Sequence, residues 1–91
     1  MKSDVQIEKI SKALSDASRI AILQQLRTRD CLYCQEVYDF LDLTQPSISH
    51  HLKLLVDAGL LIPIKEGRNL KYKLNEPVLN DYIASLNGLK G

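Results

Sequence analysis

The chain of 91 residues has two cysteines, two histidines side by side, no tryptophan, and a formal net charge of only +1. Each scarcity excludes something. Cys31 and Cys34 are too few for a disulfide scaffold and too close in sequence to close a stabilising long loop, so free thiols in a reducing compartment are expected. With a near-zero net charge the chain is no polycation, and any surface for nucleic acid must be a local patch. No apolar run approaches membrane-spanning length, and 45% hydrophobic with 25% charged residues is ordinary for a soluble protein. The start, MKSDVQIEKISKAL, mixes charges with apolar residues and lacks the apolar core of a signal peptide, so cytoplasmic residence and no membrane partner are expected. There is no acid/base pair, no nucleophile beside a base and no phosphate-cradling glycine loop, which makes an enzyme the least expected class. Nor is there a repeat, a low-complexity stretch or a linker. Residues 1–91 therefore read as one small domain of a size that often takes a partner subunit.

What is present is concentrated in TQPSISHHLKLLVDAGLL, Thr44 to Leu61. Thr44 is a good N-cap, Pro46 falls in the first turn where its missing N–H is no loss, and Gly59 supplies the left-handed residue that ends a helix. Between these signals Ile48, Leu52, Leu55 and Val56 share one side at helical spacing. Gln45, Ser47, Ser49, His50 and Lys53 fall around the other. Short hydrogen-bonding side chains suit the major groove, where they reach base edges and phosphates; a merely solvated polar face is the competing reading. His51 follows Ile48 by three residues and is expected inside, packed and hydrogen-bonded.

The flanks bear on that choice. Val5, Ile7, Ile10, Ala13 and Leu14 predict a first helix ending near Ser15, and Asp16 or Ser15 can cap a second with Ile20, Ile22, Leu23 and Leu26. Tyr33, Val37, Phe40 and Leu41 predict a short third helix, separated from Thr44 by a tight turn. Two helices so joined have the form of a helix-turn-helix, at about 33–58, although an ordinary helical hairpin has the same outline. Downstream, Leu60 to Ile64 and Asn69 to Leu74 read as a hairpin around Glu66-Gly67-Arg68, a wing at about 61–74. Its second strand alternates, with Leu70, Tyr72 and Leu74 inward and Lys71 and Lys73 outward; Pro63 requires an edge for the first. Lys65, Arg68, Lys71 and Lys73 against Glu66 alone make a local basic patch. A terminal helix at about 76–87 presents Val78, Leu79, Tyr82, Ile83 and Leu86 as an apolar stripe. This stripe and that of the first helix would be covered by a second copy of the chain. The expected fold is mainly α with a small β-hairpin: a winged helix-turn-helix of five helices and a two-stranded wing, dimeric through its first and last helices.

The segments KALSDASRIAILQQL, LTQPSISHHLKLLVDAGLL and KEGRNLKYKL resemble the ArsR/SmtB family of arsenic- and metal-sensing repressors, over roughly Ile10 to Leu74. The resemblance implies a prokaryotic homodimer on a pseudo-palindromic operator in double-stranded DNA, released by an inducer. It also implies that Gln45, Ser47, Ser49 and His50 contact bases or phosphates, Lys53 the backbone, and Arg68 the minor groove. The basic patch itself, with Lys53, predicts phosphate contacts from Lys53, Lys65, Arg68, Lys71 and Lys73 and so a steep salt dependence. The competing class is a winged helix that binds protein rather than DNA.

The sensing chemistry departs from the family. Relatives that bind zinc, cobalt or nickel at the last helix place Asp and His there; Glu76 and Asp81 without imidazole make a poor transition-metal site. Thiol-based relatives carry Cys-x-Cys at the start of the third helix, which aligns with Tyr33 and Gln35. Cys31 and Cys34 lie near that site but out of register. As a Cys-x-x-Cys pair they could hold As(III) or another thiophilic ion, or be oxidised to a disulfide, and packed inert thiols are the alternative. No cofactor is otherwise required.

Overall fold

The computed structural model describes residues 4–91, with side chains from Gln6 onward, so the Val5 side chain of the expected first stripe lies outside the described residues. Helix α1, Asp4–Ala13, is followed by α2, Ala17–Gln25, and the break between them is set by Asp16. Its carboxylate accepts the N–H groups of Ser18 at 2.8 Å and Arg19 at 3.2 Å, so one side chain satisfies two donors that the new helix leaves unpaired. Strand β1 is the dipeptide Leu32–Tyr33, and α3, Cys34–Phe40, begins at once. Glu36 reaches back to the Tyr33 N–H at 2.8 Å, one arm of a capping box.

Helix α4, Gln45–Asp57, keeps the expected bounds: Thr44 Oγ1 accepts the Ser47 N–H, Pro46 sits in the first turn, and Gly59 takes φ +83°. That left-handed residue lets the Leu60 N–H return to the Leu55 carbonyl at 3.0 Å and turns the chain into β2. Strands β2, Leu61–Glu66, and β3, Asn69–Leu74, form an antiparallel hairpin closed by Gly67 at φ +62°, and α5 runs Glu76–Gly88. Pro63 lies on β2, which is an edge as its missing donor requires.

The wing is larger than its two expected strands. The sheet order is β1-β3-β2, with Leu32 opposite Tyr72 and Tyr33 opposite Lys71, so β3 is central rather than an edge. A two-residue strand has no alternation to read, which is why the hairpin pattern alone leaves it out.

The core gathers Ile10, Ala13, Ile22, Leu26, Leu32, Val37, Ile48, Leu52, Leu55, Ala58, Leu60, Leu61, Tyr72, Val78 and Tyr82, contributed by every helix and by the inner face of the sheet. Tyr72 is buried as its alternation predicts, whereas Leu70, nearer the wing tip and expected inward, is 39% exposed. Val78 and Tyr82 of the last stripe pack within the same chain, and the Tyr82 hydroxyl lies 2.8 Å from Ser11 Oγ of α1. Ile83, Leu86 and Leu89 stay exposed at 48%, 38% and 80%. Among the described residues no helix is long and apolar enough to cross a membrane.

Candidate nucleic-acid interface

Helix α4 presents two unlike faces. Ile48, Leu52 and Leu55 are wholly or almost wholly buried, and they pin the helix against α1, α2 and β2. On the other face Gln45, Ser49, His50 and Lys53 are exposed, while Ser47 is half-buried because its hydroxyl accepts from Thr44 Oγ1 at 3.1 Å. Those groups all lie within the first nine residues of the helix. Short polar side chains there leave its N-terminal half open to close approach by a large polar surface. Lys53 holds Asp57 at 3.1 Å in an exposed pair, which competes only weakly with a phosphate for the same ammonium.

The wing brings a second set. Arg68 is exposed at the tip beside Gly67 and shares a small notch with Tyr33, Cys34 and Gln35, so the tip stands over the first turn of α3. Lys65, Arg68 and Lys73 are exposed and enter no ion pair among the described residues. Lys71 differs from the outward, free cation that alternation predicts. Its side chain is only 19% exposed, its Nζ lies 2.9 Å from Glu66 Oε2, and the ammonium sits 5.7 Å from the centre of the Tyr33 ring. The physical reason is β1: by pairing with β3 it places Tyr33 beside Lys71. The Tyr33 hydroxyl donates to Glu66 Oε1 at 2.8 Å, so Glu66 gathers both groups and ties the turn end of β2 to β1 and β3. The bond from Lys71, then the Tyr33 hydroxyl, hold the Glu66 carboxyl below its ordinary value, and Glu66 in turn raises the Lys71 ammonium.

The two histidines part as expected. His50 faces out from α4, whereas His51 turns toward α2, where its Nδ1 lies 3.0 Å from Arg19 Nη1. Their ring centroids are 6.2 Å apart.

The cysteines are both free and half-buried. Leu32–Tyr33 is extended between them, and a strand sends alternate residues to opposite faces. Cys34 consequently faces the buried Tyr72, while Cys31 lies with Tyr33 and Lys71 on the other side. Burial pushes the Cys34 thiol up, against the thiolate that the start of α3 would favour. Among the described residues no three His, Cys, Asp or Glu side chains come together as a metal cluster.

Helices α1 to α5 around one core, a helix-turn-helix made by α3 and α4, and a β-wing with an exposed arginine at its tip define the winged helix-turn-helix class. Residues 14–64 match the protein family described as "Helix-turn-helix domain". The chain is 38% identical over 82 residues to the arsenical resistance operon repressor of Staphylococcus aureus, covering 90% of this chain and 78% of that one. It is 35% identical to the transcriptional repressor SdpR of Bacillus subtilis, covering 81% of each. The fold superposes on an ArsR-like transcriptional regulator from Rhodococcus sp. RHA1 with a TM-score of 0.82 and 27% identity, over 94% of this chain and 80% of that one. The chain belongs to the ArsR/SmtB family of winged helix-turn-helix transcriptional repressors. It is a DNA-binding regulator and not an enzyme.

Two parts of the arrangement go beyond the residues that sequence reasoning singled out. One is the Glu66 junction with Tyr33, for which the short β1 left no pattern. The other is Arg19, whose reach toward His51 spans 32 positions and has no local signature.

Proposed function

We propose that the chain is a homodimeric repressor that sets one α4 per subunit into successive major grooves of a pseudo-palindromic operator, about 34 to 36 Å apart. The observation that carries this reading is the exposed, short-chained polar half of α4, Gln45 to Lys53, on a helix whose other side is held by three buried residues. Gln45, Ser47, Ser49 and His50 read base edges and nearby phosphates; Lys53 meets the backbone, and Arg68 enters the minor groove beside the wing. Lys65 and Lys73 add phosphate contacts. Lys71, already neutralised by Glu66, holds the wing in place instead. The second subunit covers Ile83 and Leu86, the part of the last stripe that the chain itself leaves open, together with Leu89 just beyond it.

Release runs through Cys31 and Cys34 in the same reading, with As(III), another thiophilic ion or an oxidant as the signal. What supports it is their placement across β1. Bonding both sulfurs to one centre requires turning one of them across the strand, which breaks the Leu32–Tyr72 pairing and frees the start of α3. The raised Cys34 thiol works against the bond and makes this response slow near neutral pH.

The test is fluorescence anisotropy of duplexes selected from a random pool, over a series of salt concentrations, with arsenite, cadmium or an oxidant added to the reduced protein. Tight, steeply salt-dependent binding supports the repressor. Failure to select any duplex overturns it in favour of a protein-binding winged helix. If Cys31→Ser and Cys34→Ser respond to the additives as the parent does, the thiol route is wrong while the DNA-binding reading stands.

A further inference from the structure

Three helices meet at one guanidinium. Arg19 Nε donates to the Ala13 carbonyl at 2.6 Å and Nη2 to the Lys12 carbonyl at 3.3 Å, so the side chain closes the C-terminal end of α1. Its Nη1 faces His51 Nδ1 of α4 at 3.0 Å. Asp16, which caps α2, brings Oδ2 to 3.8 Å from the same imidazole nitrogen. The His51 side chain is 15% exposed, and the adjoining cleft is lined by Lys9, Lys12, Arg19, Leu54 and Asp57.

An arginine can only donate. The Arg19–His51 bond therefore requires a bare Nδ1, which is the neutral imidazole carrying its proton on Nε2. A second proton removes the acceptor and sets two like charges against each other. The nearest compensating charge is Asp16, and turning to it makes His51 a competitor for the carboxylate that caps α2. Lys9 and Lys12 on α1 add positive charge around the cleft, Asp57 on α4 offers a negative one, and His50 faces away from it.

We infer that Arg19 and His51 are positioning residues: the guanidinium clamps α4 to the end of α1 only while His51 is neutral, so the seating of the recognition helix responds to protons. This inference rests on the DNA-binding reading above. Through the clamp, the angle at which Gln45 to Lys53 leave the body follows the position of α1, the helix that also packs on α5.

The two histidines give the proposal opposite signs to test. Protonating exposed His50 adds a cation next to DNA and tightens binding. Protonating His51 unseats α4 and weakens it. The experiment measures affinity for the selected duplex from about pH 8 to about pH 5.5, the range in which imidazoles change charge. It uses the His50→Gln chain, that chain with His51→Gln added, and Arg19→Lys. Glutamine keeps an acceptor within reach of Arg19 but cannot take a proton. In the His50→Gln background, affinity is expected to fall about tenfold toward low pH, and adding His51→Gln should flatten the profile while binding at pH 8 stays within about twofold. Arg19→Lys keeps the charge but cannot hold two carbonyls and the ring together, and should bind weakly at every pH. An unchanged pH profile after His51→Gln overturns the proposal. So does nitrogen NMR of the free protein that finds Nδ1 protonated at pH 8. The NMR result stands even if the parent binds no duplex at all, an outcome that sinks the repressor reading alone.

Discussion

Removing the Glu66–Lys71 pair together, and Arg68 by itself, should separate a cation that holds the wing from one that meets DNA. A protein that neutralises phosphates releases condensed counterions, and the slope of log K against log salt steepens by about 0.9 for each phosphate neutralised. Arg68 is exposed and unpaired among the described residues, so Arg68→Gln in both subunits of a dimer should make the slope shallower by about 1.8. Lys71 differs in charge accounting, since its ammonium and the Glu66 carboxylate are 2.9 Å apart. At a screening length of about 10 Å such a pair acts on a phosphate as a small dipole rather than as a charge. Glu66→Leu with Lys71→Met removes no net charge and leaves no acceptor for the Tyr33 hydroxyl, and its slope should stay within about 0.3 of the parent value. Affinity should nevertheless drop at every salt concentration, because the Tyr33 hydroxyl loses its carboxylate and the wing tip is no longer tied to β1. Anisotropy over about 50 to 200 mM salt reads both quantities. A double variant whose slope flattens as far as that of Arg68→Gln would refute the division, because Lys71 would then have been a phosphate contact all along.

Other consequences are local. Thr44→Ala removes the acceptor for the Ser47 N–H and should cost about 1 kcal/mol in urea unfolding. Leu55→Ala, at a fully buried position of α4, should cost about 2 to 5 kcal/mol by the same measurement, with the spread set by how far the cavity collapses. Gly59→Ala meets only ordinary contacts at 3.8 Å, so its penalty is that of φ +83° alone, about 1 to 2 kcal/mol in urea unfolding. Acid should destabilise the fold. The Tyr33 N–H, against opposing burial, and then Arg29 hold the Glu36 carboxyl down; Lys71 and then Tyr33 hold Glu66 down. A carboxyl depressed in the folded state contributes stability above its unfolded value and loses it as pH falls through the folded one, so the loss begins below about pH 4.3. Urea midpoints at descending pH should show a shallower fall in Glu66→Gln, and an identical fall would remove Glu66 from the account.

How much of this was legible depends on the range of the signals. Asp16, Thr44, Pro46 and Gly59 act on neighbours within a few residues, so α2 starts, and α4 starts and stops, where the sequence predicts. The split of His50 from His51 follows from helical period alone. The third strand does not follow, because Leu32–Tyr33 is too short for a period and exists only through its pairing with Tyr72 and Lys71. Alternation does put Lys71 on the face opposite Tyr72, but it cannot show that Glu66 and Tyr33 cover that face. The placement of the Cys-x-x-Cys pair is hidden from the sequence for a related reason. Its spacing suits a helical turn, and here an extended dipeptide occupies the middle and sends the two thiols apart.

With a net charge of +1, what the protein offers DNA is decided by which cations are left without a carboxylate. Glu8, Glu36 and Glu66 hold Lys12, Arg29 and Lys71, all away from the outer face of α4. Lys65, Arg68 and Lys73 are left free on the wing, and Lys53 on α4 is held only by an exposed neighbour. Pairing removes Lys12, Arg29 and Lys71 from use, while Lys9, Arg27 and Lys90 stay exposed and without an ion pair elsewhere among the described residues, so the geometry that presents the wing and α4 matters as well as the charge. The same reasoning explains why His51 and Arg19 matter more than their position suggests. They contribute nothing to the charged face, yet they fix the angle at which it is presented, and a recognition helix displaced by one or two ångströms keeps its phosphate contacts more readily than its base contacts. Loss of the clamp should therefore lower the ratio of specific to non-specific affinity more than it lowers non-specific binding itself, whereas loss of Arg68 should lower both alike. Competition anisotropy with the selected duplex and a scrambled one measures that ratio directly. A clamp variant that loses both affinities in equal proportion would place the effect of Arg19 in folding rather than in the seating of α4.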